Sequence, residues 1–253
     1  MKFKILKKLY SLFSQRNKEK IKFLKYYLGI GLNKYAGDAV GKNPSKTIII
    51  LGMHRSGTSV ISKIIYSLDV DLGKHLIEPS HDNKEGFYEN RDIVRLNNYL
   101  LAKAGGMWHS PPSKENIIKL RGNKSIEKVI KKVILRNQND LWGFKDPRTS
   151  LTLRLLIPFI KNPYFIICYR DKNSVAKSLY KREGISIKRG LFLWNIYNNS
   201  IKKFIKENNK IPSLEINFEK LIENEKRETE RIKKFLGIKK QTGKFVNKKL
   251  IHN

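Results

Sequence analysis

Cysteine is almost missing from this chain. Cys168 is the only one in 253 residues, which excludes an internal disulfide framework and any multi-cysteine zinc site. Long apolar runs are missing too. LTLRLLIPFI is broken by Arg154 and Pro158, and no stretch approaches the roughly twenty apolar residues of a membrane-spanning helix. The opening MKFKILKKLYSLF is cut by lysines before any run reaches the roughly seven apolar residues of a secretory core, so no signal peptide is expected. These features predict a cytoplasmic protein. Acidic residues are scarce as well: 22 Asp and Glu face 53 Lys and Arg, for a formal net charge of +31.

What remains is enough to fold. Hydrophobic residues make up 40% of the chain and aromatics 10%, which suffices for a sizeable core and excludes wholesale disorder. Lys, Asn and Ile are heavily used throughout, as genome composition bias alone would produce. A basic surface attracts nucleic acid, acidic lipid, acidic glycan or a phosphorylated cofactor, and charge does not choose among them.

Residues 1–45 read as a lysine-rich appendage, with an amphipathic helix expected around Lys18 to Tyr27. From Thr47 the pattern becomes alternating strand and helix. TIIIL is short and β-branched, as a buried parallel strand should be, and SVISKIIYSL is the helix after it. Residues 71–140 are expected to form an inserted helical lid, with one helix capped by Asn90 and another by Ser125. LWGF then reads as a strand, TLRLLIPFIK as a helix, YFIICYR as a strand and SVAKSLYKR as a helix. A long helix from Ile187 to Lys206, a strand at SLEINF and a final helix ending at Gly237 complete the unit. The fold class expected is α/β: a three-layer α/β/α, P-loop-like unit over 46–240, with a mostly parallel sheet of four to five strands. A basic tail follows at 241–253. Ligands of such sheets bind outside the carboxyl ends of the strands.

Those ends carry polar, basic residues. GMHRSGTS follows the first strand, with Gly52 and Gly57 five apart before a helix, the setting in which backbone N–H groups and a helix N-terminus cradle phosphate. A nucleotide-hydrolysing P-loop places Lys after the second glycine to reach the outer phosphates; here that residue is Thr58, and the positive charge sits earlier, on Arg55. ATP chemistry is thereby disfavoured. KDPR follows the LWGF strand, and Arg170 closes YFIICYR. Cys168 lies within that strand and reads as packing.

The loop GMHRSGTS resembles the 5′-phosphosulfate loop of sulfotransferases, and YRDKNSVAKS resembles their 3′-phosphate segment. KDPR is similar to the KDP segment of tyrosylprotein sulfotransferases, and GFYEN to the GYFE segment of bacterial sulfotransferase-like proteins. The matches cover about residues 46 to 238. This resemblance implies that 3′-phosphoadenosine 5′-phosphosulfate (PAPS) is the donor and that no metal is needed. The implied donor-binding residues are Gly52, His54, Arg55, Ser56, Gly57, Thr58 and Ser59 of the loop, with Arg170 and Ser178 on the 3′-phosphate. Ser174, one turn before Ser178, is a helper. The resemblance also implies that Arg55 and Lys145 meet the sulfuryl group and that a carboxylate or histidine deprotonates the acceptor: Glu89 first, then Glu78, then His81.

The chain departs from the family in two places. Val60 stands where cytosolic sulfotransferases carry a tryptophan against adenine, which makes Trp194 the candidate replacement. The glycine-rich C-terminal cofactor motif of those enzymes is reduced to KKQTGK. The acceptor class implied is a glycan or glycolipid hydroxyl, with protein tyrosine and small molecules left open, and a basic groove would suit an acidic saccharide. Two alternatives stay open: a nucleotide or small-molecule kinase, and a non-catalytic basic module. Residues 1–45 are a candidate contact for acidic membrane, with the enzyme peripheral at its inner face; nucleic acid is the less favoured partner.

Overall fold

The computed structural model describes residues 15–29, 32, 43–79, 86–243 and 245. At its centre is β1 (Lys46–Leu51), whose residues from Thr47 onward are all buried. It pairs in parallel with β2 (Leu141–Lys145) on one side and β3 (Pro163–Tyr169) on the other; β4 (Ser213–Asn217) lies beyond β3. The order is β2-β1-β3-β4. Ile49 sits between Phe144 and Phe165 in register. Because all four strands run the same way, their carboxyl ends share one edge of the sheet.

Alternation of side chains along β1 divides the core into two. Ile49 and Leu51 join Phe144, Phe165 and Ile167 beneath one helical layer, whereas Ile48 and Ile50 join Ile166, Cys168 and Ile216 beneath the other. The second layer is α2 (Thr58–Ser67), α9 (Phe218–Glu223) and α10 (Glu225–Leu236), contributing Ile61, Ile64, Leu221, Ile232 and Leu236. The first layer holds α3 (Arg91–Lys103), α5 (Lys124–Asn137), α6 (Thr149–Leu156), α7 (Lys172–Glu183) and α8 (Ile187–Glu207), with the short α4 (Lys114–Ile118) beside them. Each fully buried Ile or Leu contributes about 1.5–3 kcal/mol relative to exposure. This is the expected three-layer α/β/α arrangement.

The 71–140 segment does carry helices, α3 to α5, and it also belongs to the core. Leu96 and Leu100 of α3 are fully buried in the cluster that contains Ile49 and Phe144. The segment begins by running along β2: the Asp71 amide donates to the Leu141 carbonyl at 3.0 Å, and Gly143 donates back to the Asp71 carbonyl at 2.9 Å. Asn90 caps α3, accepting from the amides of Asp92 and Ile93. The expected cap at Ser125 is corrected: Asn123 caps α5 by accepting from Ile126, and Ser125 lies inside the helix. Asn and Ser two residues apart are both good caps, and the helix takes the earlier one. The helix expected over TLRLLIPFIK stops at Leu156 and continues as a 3₁₀ turn, Ile157–Phe159, because Pro158 has no amide to donate to an α-helical ladder.

α1 (Gln15–Tyr27) begins before the expected Lys18 and lies against α3. The Lys103 ammonium sits 3.9 Å from the centre of the Tyr27 ring, a cation–π contact. Among the described residues no helix is long and apolar enough to cross a membrane.

Candidate active site

The β1–α2 loop is shaped by two glycines. Gly57 has φ +88°, and a Cβ there would fall 2.0 Å from the Phe218 ring; a Cβ on Gly52 would meet Thr58 and the Cys168 carbonyl at 2.7 and 2.8 Å. Side chains are excluded at both points, and the loop packs down onto the ends of β3 and β4. Arg55 takes a left-handed φ of +69°, an uncommon conformation for a residue with a Cβ. Gly57 is the N-cap of α2 and offers no side chain to the first-turn amides of that helix. Such amides, with the helix dipole behind them, suit an anion. The Ser56 hydroxyl is buried and has no hydrogen-bond partner among the described residues.

Around this loop the structure gathers the residues expected on the β3–α7 side. Arg55 Nε donates to Ser178 Oγ at 2.9 Å, and Arg170 Nη1 donates to the Arg55 carbonyl at 3.1 Å. Trp194 Nε1 donates to the Arg170 carbonyl at 3.0 Å, which fixes the indole beside the tip of β3. Arg170 also lies over the Phe218 ring, 4.7 Å from its centre. Ser174 is half-buried one turn before Ser178, and its amide donates to Asp171, the α7 cap. Cys168 is fully buried; its thiol donates to the Ser56 carbonyl at 2.7 Å, and burial pushes its pKa up. That is a packing role with a hold on the loop, not a nucleophile's environment.

On the other side of β1, Lys145 ends β2. Its ammonium is buried, 2.8 Å from Glu89 Oε1 and 3.3 Å from Ser59 Oγ in the first turn of α2. A buried ammonium needs such partners, since an unpaired charge there would be strongly destabilising. Of the three base candidates, Glu89 is the one brought to Lys145. Glu78 is exposed and faces Arg91 at 3.5 Å, and His81 falls outside the described residues.

Several neighbours were not singled out by sequence. Asp146 and Arg148 lie within the KDPR motif itself, and their pairing at 2.7 Å was there to be suspected. Asn97 of α3 donates to Asp146 at 2.8 Å and to Thr149 at 2.9 Å. Trp108 packs against His54 with ring centres 4.4 Å apart and planes tilted by 42°, while Tyr197 donates to the Trp108 carbonyl at 2.9 Å. No local signal marks Trp108 or Tyr197, because their contacts join α8 to a distant loop.

The electrostatics of the cluster are read most clearly at His54. Burial holds its imidazole well below the usual histidine range, and the charges of Arg148, Lys145, Arg182 and Arg55 push it further down. Four cations therefore act on one buried ring, at the carboxyl edge of a parallel sheet and beside an uncapped helix start. The carboxylates among them, Glu89 and Asp146, are each committed to a cation. Such an arrangement can hold a multiply charged anion and place a reacting group between Arg55 and Lys145.

These features define an α/β protein with a cation-rich strand–loop–helix junction at the carboxyl edge of its sheet. The sulfotransferase family model matches residues 47–242, and the chain belongs to that family. Solved structures share the fold at low identity. The sulfotransferase STF1 of Mycobacterium tuberculosis superposes with a TM-score of 0.57 at 11% identity, covering 89% of this chain and 77% of that one. The sulfotransferase domain of the Synechococcus PCC 7002 olefin synthase gives 0.50 at 16%, covering 82% and 78%. The sulfotransferase domain of the curacin biosynthetic pathway gives 0.50 at 18%, covering 79% and 76%. No curated protein sequence matches the chain.

Proposed function

We propose that this sulfotransferase takes its sulfuryl group from PAPS and delivers it to a hydroxyl of a glycan or glycolipid, with no metal. The observation that carries the donor assignment is the linked set Arg55–Ser178 and Arg170–Arg55 around a loop whose glycines let it pack onto Phe218, Thr58 and the Cys168 carbonyl, with no side chain capping the first-turn amides of α2. The buried, unpartnered Ser56 hydroxyl fits the same anion. The loop amides, Thr58 and Ser59 hold the 5′-phosphosulfate; Arg170 and Ser178, with Ser174 nearby, hold the 3′-phosphate. Trp194 offers the adenine a half-buried face. Residues 46–240 form the transferase unit, and lysine-rich residues 1–45, with exposed Leu24 on α1 and exposed Leu28 just after it, bring it to an acidic membrane face.

In the reaction the bond between sulfur and the bridging oxygen breaks, a bond from sulfur to the acceptor oxygen forms, and the adenosine bisphosphate departs with the electron pair. Arg55 and Lys145 stand where negative charge grows and stabilise it electrostatically. Glu89 accepts the acceptor's proton, and its contact with Lys145 aligns base and cation on one reacting group.

The test is transfer of radiolabelled sulfuryl from PAPS to a panel of neutral and acidic glycans, glycolipids, tyrosine peptides and small phenols. Label is expected on a glycan or glycolipid; label confined to peptides or phenols contradicts the acceptor assignment. Glu89→Gln is expected to lower turnover about 10²–10⁴-fold while leaving bisphosphate affinity unchanged. Near-normal turnover in that variant moves the base to Glu78 or His81.

A further inference from the structure

The guanidinium of Arg148 is anchored at one end and unsatisfied at the other. Nη1 donates to Asp146 Oδ1 at 2.7 Å, and the Arg148 amide donates to the same oxygen at 3.1 Å. Asp146 is fully buried, and its second oxygen accepts from Asn97, so the anchor is rigid. Arg148 Nε, in contrast, is buried and makes no hydrogen bond among the described residues. Nε2 of His54 is a second buried polar atom in the same condition. Arg148 is the charge that acts most strongly on that imidazole, with Lys145 next. Two buried polar atoms without acceptor or donor among the described residues are costly unless a ligand completes them.

Position narrows the ligand. The residues placed on the donor's 3′-phosphate, Arg170 and Ser178, follow β3, whereas Arg148 follows β2 on the opposite side of β1, three residues after Lys145. Burial disfavours the charge on Arg148, but Asp146 and Glu89 outweigh it, so the guanidinium stays protonated beside the Lys145–Glu89 pair. A guanidinium presents N–H donors in a fixed fork suited to oxyanions.

We propose that Arg148, together with His54 Nε2, binds a non-bridging oxygen of the transferred sulfuryl group, so that the site recognises that group and not only the nucleotide carrying it. The inference rests on the PAPS reading above. That oxygen stays bonded to sulfur throughout transfer, so Arg148 remains a binding residue and exchanges no proton.

The experiment is calorimetric titration of the whole protein, without acceptor, with PAPS and separately with 3′-phosphoadenosine 5′-phosphate, for wild type, Arg148→Gln and Arg148→Lys. Arg148→Gln is expected to weaken PAPS about tenfold or more while leaving the bisphosphate unchanged, with Arg148→Lys between. Equal weakening of both nucleotides, or unchanged PAPS affinity, overturns the proposal. Bisphosphate binding also reports folding; if Arg148→Gln binds neither nucleotide, the same ratio in Arg148→Lys decides. Wild type that binds neither overturns the donor assignment itself, which separates that failure from a failure at Arg148.

Discussion

His54 is held neutral by its surroundings, and that has a consequence for stability. Burial first, then Arg148, Lys145, Arg182 and Arg55, lower its pKa in the folded protein, while the unfolded chain keeps the ordinary value of about 6.5. On acidification through that value the unfolded state takes up a proton that the folded state refuses, so stability falls as pH drops. The urea midpoint of wild type is expected to decrease from about pH 7.5 to 5.5, and that of His54→Gln to decrease less. Buried Asp146, whose carboxyl is pushed up by burial, acts with the opposite sign and cancels in the difference between the two proteins. Parallel midpoints contradict the buried, neutral histidine.

At the scale of elements, the junction of β1 and α2 depends on Gly57. Gly57→Ala places a methyl 2.0 Å from the Phe218 ring at φ +88°, so either the ring or the loop must move. The expected cost is about 1–3 kcal/mol in unfolding free energy, together with weaker bisphosphate binding. Unchanged stability and binding contradict the loop conformation described.

The elements themselves were legible where local chemistry decides them. TIIIL and YFIICYR read as strands because β-branched and aromatic runs of that length suit a sheet buried on both faces. Asn90 and Gly237 read as helix ends because capping is local, and the structure places both there. Ser125 misled because Asn123 competes with it two residues earlier. Lys145, Glu89, Arg55 and Ser178 were legible as candidates through their motifs, and the structure adds that the first two pair and the last two bond. Trp108 and Tyr197 were not legible. Their hydrogen bond spans 89 positions, and only tertiary packing brings them behind His54.

At the scale of the molecule, the parallel sheet decides what the formal charge of +31 can do. Strands running one way bring the ends of β1, β2 and β3 to a single edge, so Arg55, Lys145 and Arg170 surround one loop instead of lying on separate faces. Among the described residues many other lysines are exposed, and these raise general affinity for anions but not selectivity. The donor site should therefore discriminate by the geometry of the 3′-phosphate, not by charge alone. The most direct test is calorimetric titration with 3′-phosphoadenosine 5′-phosphate and with ATP, in chelator, for wild type and Arg170→Ala. The account predicts tight binding of the bisphosphate without metal, its loss in Arg170→Ala, and much weaker binding of ATP. Preference for ATP, or a bisphosphate affinity that survives Arg170→Ala unchanged, would contradict it.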